Sequence, residues 1–281
     1  MGMISRLEQA RGLDGLVSAG QRVARVLPAG KVRNVLNGVW LGHPLHPVLA
    51  QAAVGAWTSA SIVDLVAGDE EAARLLTAAG LAAAAPAVLA GLADWSEQHE
   101  QQLRVGVIHA LANASGSGLY VASLAARSPR RSRVLRLAGL AVVSASASLG
   151  GYISFRLAGG ANHAEPVPHL VRPGWQYLMV SSGLAEGRPV RQMIGEVPVV
   201  AIRYRGAVRV LADRCSHMSG PLSGGELSAD GSGACLTCPW HGSTFRVADG
   251  SVARGPATAP QPCFETREVG GAIQVCLPGA G

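Results

Sequence analysis

Four long apolar stretches occupy most of the first half of the chain and limit its fold more than any other feature. They cover residues 48–67, 72–95, 105–126 and 134–157, and short polar links separate them. Each stretch is close to the roughly 20 residues that a helix needs to cross the hydrocarbon core of a membrane. The pattern predicts an all-α transmembrane four-helix bundle over residues 38–158. A soluble, alanine-rich bundle is the alternative, because alanine is only weakly apolar.

Charge and composition favour the membrane interpretation. Mean hydropathy is +0.25, and only 15% of the residues are charged. The net charge is +6, but the arginines flank apolar stretches, as they do in membrane anchoring. They do not alternate with aromatic residues as on a nucleic-acid surface. We therefore expect membrane lipid as a partner and no nucleic acid.

The N-terminal segment, residues 1–37, is amphipathic. Between residues 3 and 27, apolar residues recur at helical spacing with arginines between them, which predicts a helix on a membrane surface or on the bundle. Small residues are frequent within the apolar stretches, and such residues let membrane helices approach closely. A homo-oligomer formed through these helices is a further prediction.

The second half of the chain carries two short pairs of metal-binding residues. Cys215-Ser-His217 is followed, after 20 intervening residues, by Cys238-Pro-Trp-His241. Two thiolates on one iron and two imidazoles on the other are the ligands of a Rieske [2Fe–2S] cluster. A structural zinc site is the alternative, but such sites usually pair Cys with Cys and His with His. The mixed pairs favour the iron–sulfur cluster.

The residues around these pairs carry a family resemblance. Cys-Ser-His-Met-Ser-Gly-Pro-Leu at 215–222 and Cys-Pro-Trp-His-Gly-Ser-Thr-Phe at 238–245 resemble the two cluster-binding loops of the Rieske family. The resemblance implies an all-β Rieske iron–sulfur domain, which we place at residues 174–281 after a linker at 159–173. It also implies one [2Fe–2S] cluster per chain. β-branched runs predict strands at residues 176–180, 197–204, 208–212, 244–247 and 273–277.

Three positions beside the ligands are expected to tune the reduction potential. Gly242 and Ser243 offer a backbone and a hydroxyl donor to the cluster sulfurs, although Ser243 could also be an ordinary turn residue. Phe245 stands where the respiratory Rieske proteins have a tyrosine, and Gly220 and Trp240 stand where they have disulfide-forming cysteines. The loops therefore look more like those of Rieske ferredoxins and of the Rieske domains of oxygenases.

The resemblance also implies a function. In this family electrons leave through the exposed edges of the histidine ligands, so redox partner proteins are expected to dock at His217 and His241. No complete catalytic site is evident in the sequence. The expected function is a membrane-anchored electron-transfer protein that carries one electron. A ferredoxin-like component of a separately encoded oxygenase or reductase system, and a membrane redox sensor, are the alternatives.

The membrane half has a signature of its own. Gly-His-Pro-Leu-His-Pro at 42–47 and Gly-Leu-Ala-Asp-Trp at 91–95 resemble a bacterial family of small four-helix membrane domains of uncharacterised function. Ionisable residues at membrane depth are functional candidates. The candidates for a proton or metal site are His43, His46, Asp64, Asp94 and His109. The three histidines are also candidate ligands of a b-type haem, and the His–Pro pairs alternatively form a rigid interfacial turn.

The location follows from the termini and the remaining cysteines. The N-terminus shows no export signal. Cys235, Cys263 and Cys276 are an odd number, which argues against a disulfide framework. We expect a multi-pass protein of the inner (cytoplasmic) membrane with its Rieske domain on the cytoplasmic side. The distribution of Lys and Arg does not decide this orientation.

Overall fold

The computed structural model describes residues 3–231 and 233–279. These residues form two compact units, each with its own core. The first consists of the chain up to Val32 together with Pro44–Gly159, and the second of Arg33–His43 together with the chain from Gly160 onward. The first unit is helical and the second is built mainly from β-strands, so the predicted combination of an all-α and an all-β domain is confirmed.

The number of helices differs from the prediction. Within the described residues the α-helices are α1 (Met3–Glu8), α2 (Asp14–Ala24), α3 (Lys31–Asn37), α4 (His46–Ile62), α5 (Glu70–Trp95), α6 (Glu100–Ala125), α7 (Pro129–Gly151) and α8 (Val167–Leu170). The described chain thus has eight α-helices rather than four, and four of them, α4–α7, lie within the predicted bundle at residues 38–158. The long helices α4–α7 correspond to the four apolar stretches. The other helices are too short to appear as apolar stretches of about 20 residues.

Three helical runs are long and apolar enough to cross a membrane. Within the described chain they are His46–Ala67, Glu70–Trp95 and Pro129–Arg156, the first and last of which extend α4 and α7 by a π-helical turn. The helix α6 is equally long, but its first two turns are polar. Arg104 in these turns binds Asp14 of α2 through two nitrogen–oxygen contacts, of 2.7 and 3.2 Å.

Small residues determine how closely the long helices pack. The rings of Trp57 on α4 and Tyr120 on α6 are stacked, with their centroids 4.3 Å apart. A Cβ at Gly80 on α5 would lie 2.3 Å from Nε1 of Trp57, and one at Gly116 would lie 2.5 Å from Cγ1 of Val143. Glycine is therefore required at both positions for the helices to approach this closely.

The second unit contains two antiparallel sheets. The strands are β1 (Gln176–Val180), β2 (Val190–Ile194), β3 (Val197–Tyr204), β4 (Ala207–Ala212), β5 (Glu226–Asp230), β6 (Gly233–Thr237), β7 (Thr244–Arg246), β8 (Val252–Arg254), β9 (Cys263–Val269) and β10 (Ala272–Cys276). Six strands form one sheet in the order β1-β10-β9-β4-β3-β2. The remaining four form the second sheet in the order β5-β6-β7-β8.

The central strand β3 joins the two cores of this unit. Its first six residues are buried, because alternate side chains point to opposite faces of the sheet. Val199 and Ala201 belong to one core, whereas Val200 and Ile202 pack with Phe245 and other residues of the four-stranded sheet in the second core. The second core therefore supports the hairpin of β6 and β7, whose tip carries one of the two cysteine–histidine pairs.

Candidate metal centre

The first cysteine–histidine pair lies in a closed loop after β4. The amide of Cys215 donates to the carbonyl of Gly220 at 2.9 Å, and the amide of Ser219 donates to the carbonyl of Cys215, also at 2.9 Å. Ser219 has a left-handed backbone conformation with φ of 63°, which is uncommon for a residue with a side chain. The loop thus folds back on itself and holds the His217 side chain at its outer end.

The second pair lies at the tip of the β6–β7 hairpin. The amide of Cys238 donates to the carbonyl of Ser243 at 2.8 Å, and that of Gly242 donates to the carbonyl of Cys238 at 3.1 Å. Gly242 has a φ of 73°, the left-handed region that glycine enters without strain. This loop is as tightly closed as the first.

The structure brings all four predicted ligands together. The Cys215 thiol forms a hydrogen bond with Cys238, which lowers the pKa of Cys238 to about 6 and raises that of Cys215. The rings of His217 and His241 are perpendicular, with their centroids 5.1 Å apart. The cysteine side chains are buried, and both histidines are half-buried. The thiols thus form an inner pair and the imidazoles an outer pair, as expected for a donor set shared between two irons.

Backbone amides point at the cysteine sulfurs. Cys215 receives hydrogen bonds from the amides of His217 and Met218, and Cys238 receives them from the amides of Trp240 and His241. Such bonds stabilise a negative charge on sulfur. The donor set and its surroundings therefore fit a [2Fe–2S] cluster held by two thiolates and two imidazoles.

The three predicted tuning positions have distinct environments. Ser243 is fully buried, and its hydroxyl oxygen accepts a hydrogen bond from the amide of Ala257 at 2.9 Å. This bond leaves the hydroxyl proton available for donation to another acceptor. Phe245 is fully buried in the second core, and a Cβ at Gly242 would lie 3.0 Å from a guanidinium nitrogen of Arg254.

Two supporting residues were not found from the sequence. Gln261 is 1% exposed; its Oε1 accepts from the amide of Ser216, and its Nε2 donates to the carbonyls of Ala212 and Arg214. Asp213 is also 1% exposed and accepts from the amide of Ser223 at 2.6 Å. Both side chains hold the first ligand loop. A lone Gln or Asp in a polar loop carries no sequence signal for such a role.

The outer face of the ligand loops carries an exposed aromatic residue. Trp240 is 50% exposed, and its ring lies edge-on to that of His241, with the centroids 6.3 Å apart. A Cβ at Gly220 would lie 3.1 Å from the Trp240 ring. The two positions that hold cysteines in respiratory Rieske proteins are therefore in contact, but here they are glycine and tryptophan.

In the helical unit the structure brings two of the candidate residues together. The rings of His46 on α4 and His109 on α6 are perpendicular, with centroids 6.3 Å apart. The Nδ1 of His46 lies 2.8 Å from the carbonyl oxygen of Ala87, and the Nδ1 of His109 lies 2.8 Å from that of Ser146. The Nε2 of His109 lies 3.1 Å from the side-chain nitrogen Nδ2 of Asn113. Hydrogen bonds thus fix the orientation of both rings.

The remaining candidates of the membrane half lie elsewhere. Asp64 is buried and pairs with Arg136 at 2.6 Å and with Arg133 at 3.0 Å, which identifies it as part of an ion-pair cluster. Asp94 lies near the end of α5, and His43 belongs to the second unit. Among residues 3–231 and 233–279, no three His, Cys, Asp or Glu side chains are grouped closely enough to hold a single metal ion, whereas the four residues proposed for the cluster would bind two irons in pairs. The haem, metal and proton roles remain predictions.

Comparison with known proteins identifies both halves of the chain. The Rieske [2Fe-2S] domain family matches residues 174–265, and a predicted membrane protein family (DUF2231) matches residues 42–164. Both resemblances inferred from the sequence are thereby confirmed. The 3-phenylpropionate/cinnamic acid dioxygenase ferredoxin subunit of Escherichia coli strain K12 is 32% identical over 105 residues, which are 37% of this chain and 94% of that protein.

Solved structures match the same part of the chain. The ferredoxin of carbazole 1,9a-dioxygenase from Nocardioides aromaticivorans IC177 is 22% identical with a TM-score of 0.34, covering 37% of this chain and 97% of that one. A chain from a complex of reduced oxygenase and oxidized ferredoxin in carbazole 1,9a-dioxygenase is 29% identical with a TM-score of 0.33. That match covers 36% of this chain and 92% of that one.

Proposed function

The chain belongs to the Rieske [2Fe–2S] family, and we propose that Cys215, His217, Cys238 and His241 are the cluster ligands that make it a one-electron carrier joined to a membrane domain. One observation carries this proposal: the hydrogen-bonded thiols and the two perpendicular imidazoles meet across two loops that are distant in sequence. When bound, the cluster supplies a one-electron couple whose potential is raised by imidazole ligation.

The protein side chains and amides define the surroundings of that couple. The amides that point at Cys215 and Cys238 stabilise negative charge on the sulfurs, which favours the reduced state. Burial of the cysteines excludes water from the inner side of the site. The half-buried His217 and His241 leave an outer side through which an electron can pass to a partner.

Metal analysis and spectroscopy test the ligand set. Detergent-purified protein should contain about two iron and two acid-labile sulfide per chain and show a Rieske-type electron paramagnetic resonance spectrum. His217→Ala should abolish that spectrum, whereas His169→Ala, whose side chain is 74% exposed on α8, should leave it unchanged. Stoichiometric zinc without sulfide in anaerobically prepared protein would contradict the proposal.

The partner of this carrier is best sought among oxygenases and reductases. A dioxygenase ferredoxin subunit is 32% identical over almost its whole length, which favours a ferredoxin-like component that supplies electrons to a separately encoded oxygenase or reductase. We propose that the partner docks over His217, His241 and the exposed ring of Trp240. Tryptophan is enriched among residues that dominate binding energy, because it buries a large area with little loss of rotamer entropy.

Electron-transfer kinetics test the docking surface. With the oxygenase component of 3-phenylpropionate dioxygenase as the probe, Trp240→Ala should lower the second-order rate constant for oxidation of the reduced protein by about tenfold, ~1.4 kcal/mol. Trp175→Ala is the control, because Trp175 is 39% exposed in the same unit and stacks with Arg267 instead. Equal rates for Trp240→Ala and the wild type would exclude Trp240 from the docking surface.

The helical unit is proposed to anchor the carrier in the inner membrane, with the Rieske domain on the cytoplasmic side. Its long helices expose large apolar side chains that suit lipid contact, among them Leu75, Val88, Val121 and Val134, each more than half exposed. Self-association of this unit stays a prediction from its small residues.

A further inference from the structure

Two segments outside the Rieske domain match are packed against the first metal-binding loop and against a loop that supports the second. The match begins at residue 174, yet residues 33–43 and residues 160–173 belong to the same compact unit as the ligand loops. Neither segment contributes a proposed ligand. Their contacts nevertheless fall on the first ligand loop and on the loop that supports Ser243.

The later segment holds the first ligand loop through His163. The amide of His163 donates to the carbonyl of Ser216 at 2.9 Å. Its Nδ1 lies 3.2 Å from the hydroxyl oxygen of Ser219. Ser216 and Ser219 flank His217, so one residue binds the loop on both sides of a proposed ligand.

The Ser219 contact has a specific physical role. The left-handed backbone of Ser219 is unfavourable for a residue with a side chain and persists only when its surroundings hold it in place. A hydrogen bond to the Ser219 side chain from outside the loop supplies such a restraint. Loss of the imidazole would therefore let this part of the loop relax.

The earlier segment acts on the other side of the site through Asn34. The Oδ1 of Asn34 accepts a hydrogen bond from the amide of Gly255 at 3.0 Å. A Cβ at Gly255 would lie 3.0 Å from Nδ2 of Asn37 and 3.1 Å from Cγ2 of Val39, so the contact is close. Two residues further on, the amide of Ala257 donates to the hydroxyl oxygen of Ser243.

We propose that His163 and Asn34 are positioning residues of the metal centre, through which the segments outside the Rieske domain hold the ligand loops in place. His163 fixes the loop around His217, and Asn34 fixes the backbone that orients the Ser243 hydroxyl. The proposal rests on the proposed ligand set and extends it to residues that the family match does not include. Supporting hydrogen bonds of this kind orient ligands and tune a metal site.

The test measures the reduction potential and the electron paramagnetic resonance g values of the full-length, cluster-loaded protein. His163→Ala should shift both, with the ratio of reduced to oxidised protein at a fixed potential changing by about threefold or more. Asn34→Ala should lower the potential, because a less firmly held Ser243 is a weaker donor to the sulfurs of the reduced state. His163→Asn, whose amide can replace Nδ1 toward Ser219, should restore values close to those of the wild type.

Matched controls separate positioning from general destabilisation. His169→Ala and Val35→Ala alter exposed residues close in sequence to His163 and Asn34, and both should leave the potential and g values unchanged. Fully loaded His163→Ala and Asn34→Ala proteins with wild-type potentials and g values would overturn the positioning roles and leave the ligand set intact. Absence of iron and sulfide from the wild type would instead refute the ligand set itself.

Discussion

Phe245 shows how one side chain can influence the reduction potential of the cluster. It is fully buried between Leu222, Leu236 and other apolar residues, on the strand that follows the second ligand loop. A phenyl ring offers no hydroxyl donor, whereas a tyrosine would offer one. Hydrogen bonds to the cluster sulfurs raise the reduction potential by stabilising the more negative reduced state. We therefore expect the wild-type potential in the lower part of the Rieske range of roughly −150 to +300 mV.

Phe245→Tyr should raise the potential, because the new hydroxyl adds a donor near the sulfurs. Protein-film voltammetry or a redox titration followed by electron paramagnetic resonance would measure the change. Phe264→Tyr is the matched control, since Phe264 is buried in the other core of the same unit and should leave the potential unchanged. A lower potential in Phe245→Tyr, or a wild-type value near the top of the range, would mean that another interaction dominates.

The ligands could be predicted from the sequence because cluster chemistry demands particular residue types at short spacing. A single residue separates Cys215 from His217, so their pattern is visible in a single line of sequence. Gln261 and His163 could not be found in this way. Both residues form hydrogen bonds with the backbone of Ser216, which lies 45 positions before Gln261 and 53 positions after His163. Only the folded chain brings them together.

Helices and strands likewise divide into those that a local sequence pattern predicts and those that depend on contacts between distant parts of the chain. The apolar stretches gave the four long helices, and the prediction of a strand at residues 176–180 matches β1. Strands β2, β5, β6, β8 and β9 were not predicted, and in β8 and β9 the side chains lack a continuous apolar face. Their positions depend on pairing with β7 and with β4 and β10, which is a tertiary effect.

Helix packing in the membrane half depends on individual glycines, and Gly80 gives a direct test. In Gly80→Ala the new Cβ would meet the indole of Trp57 at 2.3 Å, so the ring must move and its hydrogen bond to the carbonyl of Thr77 is disturbed. We expect a loss of about 1–3 kcal/mol in the free energy of unfolding. Thermal or denaturant unfolding in detergent, followed by circular dichroism, would measure it.

Gly118→Ala is the matched control for this prediction. Gly118 is also a helix interior glycine, but a Cβ there meets no atom within 4 Å. Because alanine favours a helix over glycine by about 0.5–1 kcal/mol, this variant should be neutral or slightly more stable. Equal stability of the two variants would show that α4 and α5 adjust without cost.

At the scale of the whole chain, the path of α6 decides how many times the helical unit crosses the membrane. Only three helical runs in the described chain meet the length and hydropathy expected of a span, and α6 is not one of them. However, His109 contacts Ser146, and Gly116 lies against Val143, so residues of α6 and α7 pair in opposite order. The helix α6 therefore runs antiparallel to α7 along the same length, and we propose that it crosses the membrane together with α7.

Four crossings, as proposed here, would place both ends of the bundle on one side of the membrane, and this gives a prediction for the Rieske domain. We expect that side to be cytoplasmic, because the positions that hold the stabilising disulfide in respiratory Rieske proteins are Gly220 and Trp240 here. A C-terminal fluorescent protein that matures only in the cytoplasm should be bright, and a C-terminal alkaline phosphatase that requires an oxidising compartment should be inactive. The same reporters placed in the link between α6 and α7 should give the opposite result. An active C-terminal phosphatase would assign the Rieske domain to the external face, and equal signals at both positions would contradict four crossings.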